Sequence, residues 1–325
     1  YNFFVTYARL DGWEPEQAGF DPDMPEGPTP ASDNLLDRWV LARINAVAEA
    51  VRVALENSDA YTATLAVDGF IDDLTNWFIR RSRRRFWKSE HDADKTTAYA
   101  TLYHVLVKLI KVLSPLTPFV TETMYQNLVC EVQPEAHPSV HHCLWPLTDQ
   151  AAIDDELVAQ MDLARQVASL GLGARSLVNI KVRQPLAKAL VYAGERQVAL
   201  LPELMDIVMD ELNVKTVEFV QDEGALVSYR IVADGRALGP RFGKNFPAVR
   251  AALEAVPASQ VVTQVKENEP VVLTVAGEEI ELLPEEIIID SEPAEGLSVQ
   301  SDKGITVAID SVITPELEAE GLVRD

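Results

Sequence analysis

The chain has 325 residues, 47% of them hydrophobic, and sets 51 acidic against 28 basic side chains for a formal net charge of −23. That size and apolar content fit a soluble, globular chain of two or three domains. The charge excludes a general nucleic-acid coat, because phosphate is repelled over most of such a surface, but leaves room for one cationic site on an acidic body. No apolar run approaches the roughly 18 residues of a membrane span. Two cysteines, Cys130 and Cys143, cannot build a disulfide framework, so a reducing cytoplasm is expected.

In chain order, "YNFFVTYARL" reads as the tail of a helix already under way, and residues 11–33, rich in Pro, Gly, Asp and Glu, as a surface connection. Leu36, Val40, Ile44, Val47, Val51 and Leu55 recur at three- and four-residue steps and predict a helix. A second helix is expected from about Thr62 as N-cap, with Val67, Phe70, Ile71, Leu74, Trp77 and Phe78 on one side. A third starts after Asp94 and carries Tyr99, Leu102, Tyr103, Leu106, Leu109, Ile110 and Leu113. Pro115 and Pro118 in "SPLTPF" break it, and a fourth runs from about Pro118 to Leu128. Four amphipathic helices on short connections predict an all-α bundle.

Beyond residue 130 the character changes. "SVHHCLWP" reads as extended, and a helix from about Asp154 to Leu170 is expected to stop at Gly171 and Gly173. "LAKALVYA", "VKTVEFV", "VVLTV", "EEIIID", "LSVQS" and "ITVAID" have strand composition, whereas "QVALLPELMDIVMDEL" and "FPAVRAALEAV" are helical. The chain closes in "TPELEAEGLVRD", the first turn of another helix, so both ends are expected to be cut from something larger. The organisation expected is a helix tail and linker at 1–32, a helical bundle at 33–150 and a mixed α+β region at 151–325, itself in two subdomains at about 151–222 and 223–325.

Five arginines and a lysine crowd into "NWFIRRSRRRFWKS", residues 76–89, interleaved with Trp77, Phe86 and Trp87. At about 100° per residue, Arg81, Arg84, Arg85 and Lys88 continue the side that carries Phe70, Leu74 and Trp77. A core cannot take unpaired cations, so this face is expected to leave the core at about Phe78. The heads would then meet water, carboxylates or phosphates. One reading is a helix end whose cations complement the dipole and pair with Asp72, Asp73 or neighbours. The other is RNA contact, which suits arginine with aromatic neighbours. Composition leaves both open.

Lys181, Arg183 and Gln184, with Arg175 upstream, form a second cationic cluster, by itself a solvated loop. "GPRFGKNF", residues 239–246, offers Arg241 and Lys244 on a turn that could touch phosphate, without a Walker pattern. Cys130, His137, His141, His142 and Cys143 fall within fourteen residues but contain no CxxC pair, so no metal site is expected. Residues 267–295 hold ten acidic and no basic side chains, a face expected to turn away from RNA or to meet a basic partner. No catalytic constellation stands out, and no catalytic residue is assigned.

"LDRWVLARIN", "FIDDLTNWFIRRSRRRFW" and "LSPLTPFVTETMYQNL" resemble the anticodon-binding helical domain of the isoleucyl-tRNA synthetases, class I enzymes. "SVHHCLWP", "IKVRQPL", "VMDELNVKTVEF" and "TPELEAEGL" extend the resemblance almost to the last residue, the late segments being similar to the eukaryote-like branch that some bacteria also carry. The resemblance implies a parent that attaches isoleucine to tRNA(Ile) with ATP and Mg in a catalytic domain. Signatures of the HIGH and KMSKS type, and any segment like the editing domain, are absent from these residues. This stretch is therefore expected to be the tRNA-reading part, inactive alone and without a cofactor; the CxxC zinc module of some relatives is not carried over. Arg80, Arg81, Arg83, Arg84, Arg85, Trp87 and Lys88, with Arg175, Lys181 and Arg183, become candidate tRNA contacts. Some of these arginines could instead brace the bundle against the catalytic body. The expected partners are tRNA(Ile) and the protein's own catalytic domain, with no DNA or membrane, in a cytoplasmic monomer. The competing reading is a protein-interaction appendage with an acidic docking surface and structural arginines.

Overall fold

The structure, a computed structural model, describes residues 1–16, 20–88, 92–194, 200–266, 268–275 and 277–323. It divides into two compact units, Tyr1–Met161 and Asp162–Asp325.

The first unit is helical. Helix α1 (Asn2–Asp11) leads into a connection, then α2 (Leu35–Glu56), α3 (Ala60–Asp72), a π-helical stretch Asp73–Ile79, α4 (Arg80–Trp87), α5 (Ala93–Leu113) and α6 (Pro118–Tyr125), the last prolonged by a second π-helical stretch, Gln126–Cys130. Local chemistry sets the starts. Asn34, Asp59 and Asp92 each accept a hydrogen bond from a first-turn backbone N–H, those of Leu36, Thr62 and Lys95. The cap of α3 is thus Asp59, three residues before the Thr62 expected, and Asp92, not Asp94, opens α5. Trp39, Val40, Ile44, Phe70, Phe78, Leu102, Ile110 and Val129 fill the core between these helices.

Two features depart from a simple amphipathic reading. The connection before α2 is anchored, not merely superficial: the buried Glu26 carboxylate pairs with Lys111 Nζ at 3.0 Å, and its carbonyl lies 3.2 Å from His104 Nδ1. The buried Lys108 Nζ donates to Asn45 Oδ1 and Leu147 O, both at 2.7 Å, tying the segment after residue 140 to α2 and α5. That segment holds a 3-10 turn at Val140–His142 where extended chain was expected.

Helix α7 (Asp155–Leu177) carries the chain into the second unit. It passes through Gly171 and Gly173 instead of stopping there. A Cβ on Gly171 would come within 2.5 Å of Leu212 Cδ2, and one on Gly173 within 3.2 Å of Gln300 Oε1, so both glycines serve close packing rather than termination. Strand β1 (Leu186–Tyr192), helix α8 (Pro202–Leu212) and β2 (Val214–Phe219) form a parallel βαβ arrangement. Residues 197–199, the start of the stretch expected to be helical, lie outside the described residues.

Next come β3 (Val227–Ala233), α9 (Gly235–Phe242), α10 (Phe246–Glu254), α11 (Ala258–Lys266), the hairpin β4 (Val271–Val275) and β5 (Glu278–Leu282), and β6 (Ile287–Pro293), which pairs antiparallel with β3. Ile231, Leu238, Val249, Leu253, Val261 and Leu273 give these elements their own core. Strands β7 (Leu297–Asp302) and β8 (Ile305–Asp310) return to the first sheet in the order β2-β1-β8-β7, before α12 (Pro315–Val323). Lys303 and Gly304, both at positive φ, make the two-residue turn between β7 and β8 that a right-twisted hairpin requires. One sheet therefore draws strands from both sides of the division expected at about 222/223, with residues 227–293 set into it as a second cluster.

Candidate functional site

The arginine-rich stretch begins where the helical ladder widens. Over Asp73–Ile79 the hydrogen bonding is π-helical, which inserts a residue and turns everything after it back by about one residue's rotation, roughly 100°. The buried side consequently passes from Phe70 and Leu74 through Phe78 to Ser82 and Phe86, the last two being 0% and 1% exposed. The apolar face does not end at Phe78. The arginines occupy the flanks and the outside.

Their fates differ. Arg83 and Arg84 are exposed on α4, and among the described residues neither has an ion-pair or side-chain hydrogen-bond partner. Arg80 is exposed, with Nε bonded to Asn76 O at 2.8 Å, and the guanidinium groups of Arg80 and Arg81 lie 5.6 and 5.8 Å from the Trp77 ring centroid.

Arg85 is not a solvent-facing cation. Its Nη1 and Nη2 donate to the two carboxylate oxygens of Asp37, at 2.7 and 2.8 Å, and its Nε to Asp94 Oδ1 at 2.9 Å. Burial works against its charge, but hydrogen bonds and Coulomb attraction from Asp37 and then Asp94 raise its pKa. Lys88, half-buried, is paired with Asp92 and Asp94 at 2.6 and 2.9 Å. Both side chains therefore tie α4 to α2 and the start of α5: of the water, carboxylates or phosphates expected at this face, these two heads meet carboxylates. The partner that decides this, Asp37, carried no signal in local spacing.

The end of α4 also touches α1. Phe3 meets Phe86 edge-on at 5.2 Å, and Tyr7 approaches Trp87 at 6.4 Å. Trp87 remains 55% exposed, so most of its ring stays available beside Arg83 and Arg84.

In the second unit, Arg175 is 1% exposed and is not a contact residue. Its Nη1 donates to the carbonyls of Lys181 and Gln184 at 3.1 and 2.9 Å, its Nη2 to that of Asn213 at 3.0 Å. Desolvation pulls its pKa down to about 10. Lys181 and Arg183 are exposed on the loop that Arg175 grips. Arg241 is committed as well, with Nη1 2.7 Å from the Glu286 carboxylate and Nη2 on Glu281 O, while Lys244 of the "GPRFGKNF" segment stays exposed.

The Cys–His cluster is dispersed into local bonds. Cys130 Sγ faces His137 O, His137 Nε2 lies 2.7 Å from Asp23 Oδ1, and Cys143 Sγ approaches the Tyr125 hydroxyl at 3.4 Å. Burial pushes both thiols up. Among the described residues no group of three His, Cys, Asp or Glu side chains is placed to hold a metal ion.

Residues 37–191 match the family model of the anticodon-binding domain of tRNA ligase. An isoleucine–tRNA ligase of Clostridium novyi is 37% identical over 329 residues, covering 100% of this chain and 30% of its own length. Those of Streptomyces coelicolor and Thermus thermophilus are 41% and 39% identical, covering 99% and 100% of the chain and again 30% of their own lengths. The chain carries the anticodon-binding domain of a tRNA ligase and is similar over its whole length to isoleucine–tRNA ligases. It spans about 30% of the length of the relatives it matches. The matched anticodon-binding domain takes in the whole of α4, the Asp37 that clamps Arg85, and the loop held by Arg175.

Proposed function

We propose that this chain is the tRNA-reading part of an isoleucine–tRNA ligase and that it holds tRNA(Ile) at the outer side of α4. Arg83 and Arg84 supply cations for backbone phosphates, and the exposed Trp87 ring a surface for a base to stack on. One observation carries the reading: two exposed arginines without ion-pair partners among the described residues, on a body of net charge −23, inside the stretch that matches an anticodon-binding domain. Their neighbours Arg85 and Lys88 already have carboxylates, so capping and bracing do not call for two more cations. An acidic body with one cationic end docks RNA directionally, attracting it at that end and repelling it elsewhere. The competing view of an acidic docking appendage with structural arginines accounts for Arg85 and leaves Arg83 and Arg84 unexplained.

In the whole enzyme this reading implies ATP- and Mg-dependent attachment of isoleucine to the same tRNA. That chemistry is assigned to no residue of this chain. A cytoplasmic monomer is the working state proposed, and among the described residues no helix is long and apolar enough to cross a membrane. The test is titration of labelled tRNA(Ile) with the 325-residue chain from about 50 to about 200 mM salt. Affinity falling log-linearly with salt, by roughly 0.7 to 0.9 per phosphate engaged, and falling again when the anticodon is changed, supports the reading. Absent or salt-insensitive binding overturns it.

A further inference from the structure

The loop between α7 and β1 is held by its carbonyls to a degree that its surface position does not require. Arg175 takes the carbonyls of Lys181 and Gln184. The side-chain amide of Asn213 takes those of Val182 and Arg183, at 2.9 and 3.1 Å. Gln184 Nε2 donates to Pro185 O and also to Leu317 O, at 2.7 Å, in α12. The consecutive carbonyls from 181 to 185 are thus all engaged by side chains, four of them by Arg175 and Asn213 from outside the loop. Asn213 itself sits in the left-handed region at φ +48°, a conformation asparagine accepts more readily than most residues. Arg175 bonds carbonyls and pairs with no carboxylate among the described residues, so its burial is not explained by charge neutralisation. Burying a guanidinium is costly, and here Nη1 holds the loop directly while Nη2 holds the backbone of Asn213, whose side chain holds the same loop.

The consequence is directional. A trans peptide sets its C=O and N–H on opposite sides. With the carbonyls of Lys181 and Val182 turned towards Arg175 and Asn213, the amides of Val182 and Arg183 face away from those anchors. The side chains of Lys181, Val182 and Arg183 are exposed on the same loop, Val182 at 47%. Amides and cations presented together on an ordered backbone suit a phosphate oxygen.

We propose that loop 180–185 is a second RNA contact, in which Lys181, Arg183 and the Val182 amide bind a phosphodiester of the RNA backbone and the buried Arg175 acts as the positioning residue that holds the loop ready. This rests on the reading that the chain binds tRNA. Preorganisation is what Arg175 contributes: the loop is ordered before the RNA arrives.

The test compares tRNA(Ile) binding across a salt series for the full chain, Lys181→Ala/Arg183→Ala, Arg175→Lys, and the triple variant, with a thermal melt beside each. The surface pair is expected to lower affinity about 5- to 8-fold at 0.1 M salt relative to a 1 M reference for each phosphate it no longer engages, and to flatten the log–log slope by roughly 0.7 to 0.9 for each. Arg175→Lys keeps the charge and removes the fork. It is expected to weaken binding in the same direction, while the triple variant falls no further than the surface pair. If Arg175→Lys fails to fold, the surface pair still decides. An unchanged affinity and slope in that pair, while Arg83→Glu/Arg84→Glu weakens binding, overturns this proposal alone. Full additivity in the triple variant overturns the positioning role. No tRNA binding by the unaltered chain overturns both this proposal and the reading it rests on.

Discussion

Arg85 grips Asp37 with both arms of its guanidinium, at 2.7 and 2.8 Å, across 48 residues of sequence. The Asp37 side chain has no exposed surface and that of Arg85 is 12% exposed. Removing one partner of a buried pair leaves an uncompensated charge, at a cost of about 3–5 kcal/mol. Arg85→Ala, which leaves the fully buried Asp37 carboxylate without its cation, should therefore lower stability in a urea titration by that much, whereas Arg83→Ala on the same helix should stay within about 0.5 kcal/mol of the parent. Equal midpoints for the two variants would mean the clamp contributes little.

How much of this was legible follows from the range of the interactions. The four bundle helices and most strands announce themselves by period, because burying one face requires it. The rotation of α4 does not. It depends on the π-helical stretch at Asp73–Ile79, and a projection at about 100° per residue carries the arginines to the wrong side beyond it. Arg85 and Asp37 meet only in the folded bundle, so no local pattern separates Arg85 from Arg84 beside it. Arg175 reads as one more cation near a basic loop, since its carbonyl partners belong to residues that only the fold brings together. Gly171 and Gly173 read as a helix stop for the same reason: the side chains that require them small, Leu212 and Gln300, come from distant segments.

His104 should make the bundle acid-sensitive. It is 2% exposed, and burial first, then the charge of Lys108, hold its pKa at about 4, below the ordinary 6.5. The unfolded chain takes up a proton as pH falls through about 6.5, while the folded chain resists until about 4. Stability is thus lost on acidification across that window and is fully present above it. The displacement corresponds to about 3 kcal/mol. Urea midpoints at about pH 7.5 and about pH 4.5, on either side of most of that window, should differ more for the parent than for His104→Gln, which cannot take that proton. The same difference in both would assign the acid response elsewhere.

Two glycines on helices should respond oppositely to alanine. Gly69 in α3 has nothing within 4 Å of the point where a methyl group would sit, so Gly69→Ala should raise stability by about 0.5–1 kcal/mol through helix propensity. Gly171→Ala forces the buried Leu212 to move and should lower it by about 1–3 kcal/mol. Thermal melts of the two single variants decide the matter, and stabilisation by both would show that α7 has room the structure does not give it.

The central claim is that Arg83 and Arg84 serve RNA while Arg85 serves the fold. It is tested most directly by the salt dependence of tRNA(Ile) affinity, with a thermal melt alongside, for Arg83→Glu/Arg84→Glu and for Arg85→Glu. The first variant should melt with the parent and bind tRNA more weakly, with a log–log slope flatter by roughly 0.7 to 0.9 for each phosphate no longer engaged. Arg85→Glu should lose the bundle's melting transition or drop it sharply. Unchanged affinity and slope in Arg83→Glu/Arg84→Glu, with a melt as low as that of Arg85→Glu, would contradict it.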